Sequence, residues 1–198
     1  MINPSDSVFS SRVHTVFLDR DGVLNEKAPE GHFVFQWSEF KLLPGVIESI
    51  ARMNRAGIRV IVVSNQRGVA LGLYTAADVR ALHRKFQDLL SAQSAHVDGF
   101  YFCPHDRDQC NCRKPLPGLF EQAERDFPDI SAESSLMVGD SLPDIEFGRR
   151  LGMKTCFVDG KSEHQKPGAE TARNLADLCV PSLVQGVDAL LGEPSAAQ

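Results

Sequence analysis

Short apolar runs alternate with longer segments in which apolar residues recur at helical spacing. The runs at 13–18, 59–63, 99–102, 135–138 and 155–158 have the length and composition of buried strands. Helical patterns lie at about 44–57, 75–93, 118–127, 144–151 and 184–191. Strands that alternate with helices predict an α/β, Rossmann-like, doubly wound parallel sheet with helices on both faces.

Composition narrows the class of protein. The chain has 198 residues, of which 42% are hydrophobic and 24% charged, so we expect one globular domain spanning 1–198. Its formal charge of −5 argues against a nucleic-acid partner. No apolar run approaches the ~20 residues of a membrane span, and residues 1–11 lack the pattern of a cleaved signal. We therefore expect a cytoplasmic monomer without a membrane partner.

Polar residues that could bind a ligand or act in catalysis follow three of the predicted strands. Asp19 and Asp21 end the first, Ser64 and Asn65 the second, and Asp140 the fourth. Ligands of such sheets bind beyond the carboxyl ends of the strands. Carboxylates at i and i+2 project to one side of an extended segment and repel each other unless a cation compensates. The alternatives are an ordinary turn at the first two sites and a helix N-cap at Asp140.

A cysteine cluster lies in the loop after the third predicted strand. Cys103, His105, Cys110 and Cys112 form the pattern C-x-H-x4-C-x-C, and four such ligands with no open position indicate a structural zinc site. Catalytic zinc and unligated buried cysteines are the alternatives. Cys156 and Cys179 are predicted to be plain core residues.

Two basic residues follow the cluster directly. Arg113 and Lys114 precede Pro115, and a lysine here can pair with the acidic residues and with a phosphoryl group. The alternative is a solvated basic pair. If the cluster binds zinc, the metal orders the loop that carries this lysine.

The order of these motifs along the chain resembles the haloacid dehalogenase superfamily of phosphohydrolases. Asp19-Arg20-Asp21-Gly22, together with residues 103–105 and 110–115, is similar to the subgroup of heptose-bisphosphate and histidinol-phosphate phosphatases. Many members of the superfamily carry a large cap domain, and the intervals in this chain are too short for one. The entrance is therefore expected to be formed by residues 26–40, residues 67–74 and the zinc loop. Its aromatic residues either border the substrate or form a packed flap: Phe33, Phe35, Trp37 and Phe40.

The resemblance implies a role for each motif residue. Asp19 is the expected nucleophile and Asp21 the general acid and base. Magnesium is expected on the Asp19 and Asp140 carboxylates and the Asp21 backbone carbonyl. Asp144 is expected to orient the site from behind the metal ligands. The expected substrate-binding residues are Ser64, Asn65, Arg113 and Lys114.

The stretch 65–72 favours the heptose enzymes, whose N-Q-x-G-[IV]-A-R-G it resembles. The expected reaction is removal of the C7 phosphate of D-glycero-D-manno-heptose 1,7-bisphosphate. Leu71 and Ser141 stand where basic residues are common, and Arg67 brings a cation nearby. Histidinol-phosphate phosphatase, nucleic-acid 3′-phosphatase and a non-catalytic zinc-stabilised interaction module are the alternatives.

Overall fold

The computed structural model describes residues 13–29, 31–160 and 167–192. The expectation for residues 1–11 lies outside them. The described strands are β1 (Thr15–Leu18), β2 (Arg59–Asn65), β3 (Gly99–Cys103), β4 (Ser135–Gly139), β5 (Lys154–Val158) and β6 (Leu178–Val180). The α-helices are α1 (Val46–Arg55), α2 (Ala76–Ser91), α3 (Gly118–Asp126), α4 (Leu142–Leu151), α5 (Ala169–Leu175) and α6 (Leu183–Leu191).

The six strands form one sheet in the order β3-β2-β1-β4-β5-β6, and every pairing is parallel. This confirms the predicted doubly wound α/β fold. β1 lies at the centre, with Phe17 level with Ile61 of β2 and Met137 of β4. The strand order reverses direction at β1, so a crevice opens beyond its carboxyl end between the neighbouring connections. Among the described helices none is long and apolar enough to cross a membrane.

Alternate residues of the central strands supply the two halves of the core. Leu18 and Val62 face α1, α2 and α6, whereas Phe17 and Ile61 face α3 and α4. These four side chains are completely buried. Because successive side chains of a strand point to opposite faces, an uninterrupted apolar run requires helices on both sides.

The region after β5 differs from the prediction. The short elements α5 and β6 were not predicted, because the three residues of β6 are too few to show a periodicity. The prediction that Cys179 is a core residue is wrong, since it lies in β6 and is exposed. β6 pairs with β5 at the edge of the sheet, where one side of the ladder has no strand neighbour among the described residues.

Candidate active site

The chain turns sharply after β1 and brings two acidic residues to the crevice. The Asp19 amide donates to the Val138 carbonyl at 2.9 Å, which extends the contact with β4 by one residue. Gly22 then adopts φ of +102°, a left-handed conformation, and a Cβ at this position would overlap the Asp140 carboxylate. Glycine therefore lets the first loop approach the end of β4 closely enough to bring Asp19 beside Asp140.

Three carboxylates converge at this point. One oxygen each of Asp19, Asp140 and Asp144 lies within 4.8 Å of the others, and all three residues are buried. Oxygen ligands of this kind fit magnesium, which takes one or two carboxylates and completes its shell with phosphate and water. The Asp140 carboxylate is also paired with the Lys27 ammonium.

Asp144 has structural contacts on both of its oxygens. Ser141 is the N-cap of α4, and its amide and hydroxyl donate to Asp144 Oδ2 at 3.1 and 2.5 Å. Asp144 Oδ1 lies 2.6 Å from Lys114 Nζ. The N-cap alternative for Asp140 is therefore wrong, because the next residue caps the helix. These contacts hold both oxygens of Asp144 in place.

Lys114 is the cation at the centre of the site. Its ammonium donates to Asp19 Oδ1 at 2.8 Å and to the Val63 carbonyl at 2.7 Å. Burial alone would lower the pKa of Lys114, but the carboxylates of Asp144 and Asp19 raise it above its usual value. The lysine therefore remains charged and compensates part of the carboxylate repulsion.

Asn65 holds the backbone that carries this lysine. Its side-chain oxygen accepts from the Lys114 amide at 3.0 Å, and its side-chain nitrogen donates to the Lys114 carbonyl at 3.1 Å. The amide expected to bind phosphate oxygens thus connects the end of β2 to the loop after the cysteine cluster. Ser64 precedes it at the end of the same strand and is buried.

Asp21 is held by three side-chain donors. Arg20 forms a two-pronged pair with it, through Nε at 3.1 Å and Nη2 at 2.8 Å to Oδ2. Asn25 Nδ2 donates to Oδ1 at 2.9 Å, and Gln66 Nε2 donates to Oδ2 at 3.2 Å. Arg20 is 1% exposed and also donates to the Val34 carbonyl, so packing restricts it. The Asp21 carboxylate itself keeps 27% of its surface exposed toward solvent.

The four predicted zinc ligands come together. Their sulfur and ring-nitrogen atoms lie within 4.8 Å of one another, with successive contacts of 3.5 Å (Cys103–Cys110), 3.4 Å (Cys110–Cys112), 3.3 Å (Cys112–His105) and 3.7 Å (His105–Cys103). Tetrahedral zinc with sulfur ligands at about 2.3 Å separates those ligands by about 3.7 Å. Burial raises the pKa of the Cys103 and Cys112 thiols. A bound cation reverses that preference, and the ligand set fits zinc.

The cysteine loop is packed against the rest of the site. The Gly118 amide at the start of α3 donates to the Asn111 carbonyl at 2.9 Å, and a Cβ on this glycine would press on the loop backbone. Arg67, in the loop after β2, forms an ion pair with Asp106 at 2.5 Å. Arg113 is half-buried, and its Nη1 has no hydrogen-bond partner among the described residues.

The aromatic segment after the first loop divides into two pairs. Phe33 and Phe35 lie against Tyr74 and line the open groove that also contains Asp140. Trp37 and Phe40 stack on each other at 5.5 Å and pack into the core. The first pair therefore borders the groove beside Asp140, and the second pair anchors the segment.

Sequence reasoning missed four residues that shape the site: Arg20, Lys27, Gln66 and Tyr74. Arg20 lies between the two motif aspartates, and Gln66 follows Asn65, so their neighbours in the chain were a usable signal. Lys27 and Tyr74 reach the site only through the folding of the two entrance loops.

The chain is similar to known phosphatases over most of its length. A family model described as HAD-hydrolase-like matches residues 111–185. The D-glycero-alpha-D-manno-heptose-1,7-bisphosphate 7-phosphatase of Mycobacterium bovis is 38% identical over 169 residues, which cover 85% of this chain and 86% of that protein. The D-glycero-beta-D-manno-heptose-1,7-bisphosphate 7-phosphatase of Escherichia coli K12 is 33% identical, covering 94% and 98%.

A solved structure agrees with these relatives. The D,D-heptose 1.7-bisphosphate phosphatase from B. bronchiseptica, complexed with magnesium and phosphate, is 31% identical and superposes with a TM-score of 0.77. The match covers 90% of this chain and 98% of that one. The chain therefore belongs to the haloacid dehalogenase-like hydrolase family and is a phosphatase.

Proposed function

We propose that this phosphatase removes the C7 phosphate of D-glycero-D-manno-heptose 1,7-bisphosphate. The observation that carries the proposal is the meeting of Asp19, Asp140 and Lys114 in one buried cluster at the carboxyl ends of the central strands. Relatives of both anomeric series, named alpha in M. bovis and beta in E. coli, support the sugar bisphosphate as the substrate class.

Asp19 is the proposed nucleophile. Its carboxylate attacks phosphorus, a bond forms between the carboxylate oxygen and phosphorus, and the bond between phosphorus and the C7 oxygen breaks. Asp21 donates a proton to the departing oxygen. It then takes a proton from the water that hydrolyses the aspartyl-phosphate, so the enzyme returns to its starting state. The three donors around Asp21 support this role because they restrict its carboxylate.

The phosphoryl group needs positive charge and hydrogen-bond donors around it. Lys114 supplies the charge, Ser64 the proposed hydroxyl donor, and Asn65 acts by fixing the Lys114 backbone. Asp19, the Asp21 carbonyl and Asp140 are the proposed ligands of magnesium, with Asp144 orienting Lys114. Bound magnesium would neutralise charge between the anionic nucleophile and the anionic substrate. The complex of the B. bronchiseptica enzyme with magnesium supports this choice of metal.

The anomeric phosphate is proposed to lie toward the rim, near Arg113. This arginine adjoins Lys114 in sequence, and its buried Nη1 has no hydrogen-bond partner among the described residues. A guanidinium is the side chain best suited to pair with a phosphate. Arg67 is the second candidate cation, although Asp106 neutralises it in the present geometry. The primary C7 phosphate is less hindered and can enter more deeply.

Phosphorus NMR of the product tests the proposal directly. We expect the purified enzyme with magnesium to release inorganic phosphate from the heptose 1,7-bisphosphate and to leave the C1 phosphate on the sugar. Both anomers serve as substrates in parallel reactions, and histidinol phosphate is the comparison substrate. A product that retains the C7 phosphate, or a higher kcat/KM for histidinol phosphate, would contradict the proposal.

The cysteine cluster is proposed to hold one structural zinc ion. Four mutually adjacent ligand atoms leave no open position for substrate, which supports a structural and not a catalytic role. We also propose a cytoplasmic, monomeric enzyme, in keeping with five cysteines that are all free thiols. Metal analysis of the purified protein and light scattering test these points.

A further inference from the structure

A chain of hydrogen bonds joins the entrance of the site to Asp21. The Tyr74 hydroxyl donates to Gln66 Oε1 at 2.9 Å. Gln66 Nε2 in turn donates to Asp21 Oδ2 at 3.2 Å and to Ser64 Oγ at 2.5 Å. Gln66 and Tyr74 are 2% and 5% exposed, so water has little access to compete for these contacts.

The tyrosine decides which way the glutamine amide points. A glutamine carbonyl oxygen only accepts hydrogen bonds, and its NH₂ group only donates. Because the Tyr74 hydroxyl occupies the oxygen, the NH₂ group faces Asp21 and Ser64. The reversed amide would turn its oxygen toward Asp21. That oxygen would face the ionised carboxylate as a second acceptor, and it would compete with the leaving oxygen for the proton when Asp21 is protonated.

Packing holds the Tyr74 ring in this position. The ring stacks on Phe35 with centroids 4.9 Å apart and an interplanar angle of 7°. Gly68 lies against the hydroxyl end of the ring, where any Cβ would overlap the tyrosine side chain. Burial raises the pKa of Tyr74 to about 12, so the hydroxyl keeps its proton at neutral pH and remains a donor.

The amide also orients the hydroxyl of Ser64. Because Ser64 Oγ accepts from Gln66 Nε2, the Ser64 proton points away from the amide and is available to another acceptor. One glutamine thus sets the direction of two groups, the carboxylate of Asp21 and the hydroxyl of Ser64.

We infer that Gln66 and Tyr74 are positioning residues for Asp21, with Tyr74 selecting the amide orientation in which Gln66 holds the general acid. The inference rests on the proposed role of Asp21. Gln66 contacts two groups, and the two contacts have different consequences. Its contact with Asp21 matters only when the leaving oxygen needs a proton, whereas its contact with Ser64 matters for every phosphate ester.

Two probe esters distinguish these actions. Glycerol 3-phosphate has a basic alkoxide leaving group that requires protonation, whereas p-nitrophenyl phosphate releases a stabilised phenolate that does not. kcat/KM is the quantity to compare, because it reports the steps up to departure of the leaving group. We expect Tyr74→Phe to lower kcat/KM for the alkyl ester about tenfold, a part of the ~10²–10⁴ that general acid catalysis supplies. For the aryl ester we expect kcat/KM to fall by only about threefold or less.

The chain offers a matched control. Its only other tyrosine, Tyr101, also donates its hydroxyl to a side chain, Asp126, at 2.7 Å, but lies in β3 outside the site. Tyr101→Phe should leave the ratio of the two kcat/KM values unchanged. Asp21→Asn gives the reference ratio for loss of the general acid.

A second variant keeps the test independent of the tyrosine. Gln66→Met removes both donors at similar volume, and Tyr74→Phe added to it should cause no further loss on the alkyl ester. Equal losses on both esters, or additive losses in the double variant, would overturn the inference. Failure of the proposed substrate would be seen separately, as wild-type turnover of both probe esters without turnover of the heptose bisphosphate.

Discussion

The carboxylate site and the cysteine cluster lie close together but are assembled differently. Asp19, Asp140 and Lys114 come from segments far apart in the chain and meet only when the sheet forms. The cysteine cluster takes all four ligands from residues 103–112, a single loop after β3. The first cluster is a consequence of the fold, and the second shapes the loop that contains it.

The two clusters also differ in how their charge is compensated. Lys114 gives the carboxylates a protein cation, with contacts of 2.8 Å to Asp19 and 2.6 Å to Asp144. The hydrogen bonds among the side chains of the cysteine cluster join its members to one another. Loss of magnesium should therefore stop chemistry and leave the fold, whereas loss of zinc should loosen the loop that carries Arg113 and Lys114.

Asp19→Asn is the strongest test of the expectation that the carboxylate site supplies chemistry and not stability. The amide is nearly isosteric but cannot attack phosphorus, so we expect kcat to fall by about 10⁴-fold or more, as for other covalent nucleophiles. Removal of one charge from a crowded carboxylate cluster should leave the melting temperature almost unchanged. Phosphate release and calorimetry measure the two effects. Activity above about a thousandth of wild type would contradict the assignment of the nucleophile.

The opposite outcome is expected for Cys112→Ser. Loss of a zinc ligand should destabilise the protein by about 4 kcal/mol, a part of the ~10–16 kcal/mol that a structural zinc can supply. For a chain of this size the melting temperature would fall by about 10 °C. Calorimetry with and without a strong chelator measures the change.

Cys179→Ser is the control for that experiment, because Cys179 is exposed and lies outside the cluster. It should melt with the wild type and should lose the same stability on chelation. Zinc-free wild type that remained equally stable, or activity that followed added zinc in place of magnesium, would contradict the structural role.

Both clusters were predictable from sequence, for different reasons. Asp19 and Asp140 follow apolar runs long enough to identify as strands, and parallel strands bring their carboxyl ends to one edge. Cys103 and Cys112 belong to a local motif that depends little on the rest of the fold. The contact of Tyr74 with Gln66 could not be predicted, because it depends on how two irregular loops pack around Phe35 and Gly68. Such packing has no periodicity.

Arg113→Ala tests the segment in which the cysteine cluster and the carboxylate site adjoin. Arg113 follows the last cysteine of the cluster and precedes Lys114, so the proposed zinc ligands and the proposed phosphate-binding residues adjoin each other in one loop. We expect KM for the bisphosphate to rise more than KM for a monophosphate, by a factor equivalent to about 1.5–3 kcal/mol. Steady-state kinetics with both substrates measures the split. Equal effects on the two substrates would argue against Arg113 as the binder of the second phosphate.

The smallest expected effect concerns a buried histidine of α2, away from both clusters in the chain. His83 of α2 is 4% exposed and stacks on Phe100 with centroids 4.7 Å apart. Burial, and then the charge of Arg20, lower the pKa of His83 from 6.5 to about 3. Between pH 6.5 and about pH 3, His83 therefore binds a proton in the unfolded chain but not in the folded chain. The stability contribution of neutral His83 is therefore complete above pH 6.5 and is lost as the pH falls toward 3.

One pH unit below the ordinary histidine value, at pH 5.5, this loss is about 1.4 kcal/mol. Urea unfolding at pH 7.5 and 5.5 should therefore show a smaller pH-dependent loss for His83→Phe, which cannot titrate, than for wild type. His96→Gln is the control, because it also removes an imidazole but at an exposed position. Comparing each variant with itself at two pH values removes the cost of repacking. Proton NMR gives a second measurement: a His83 ring signal that titrated near pH 6.5 in the folded protein would show that Arg20 and burial do not exclude the proton.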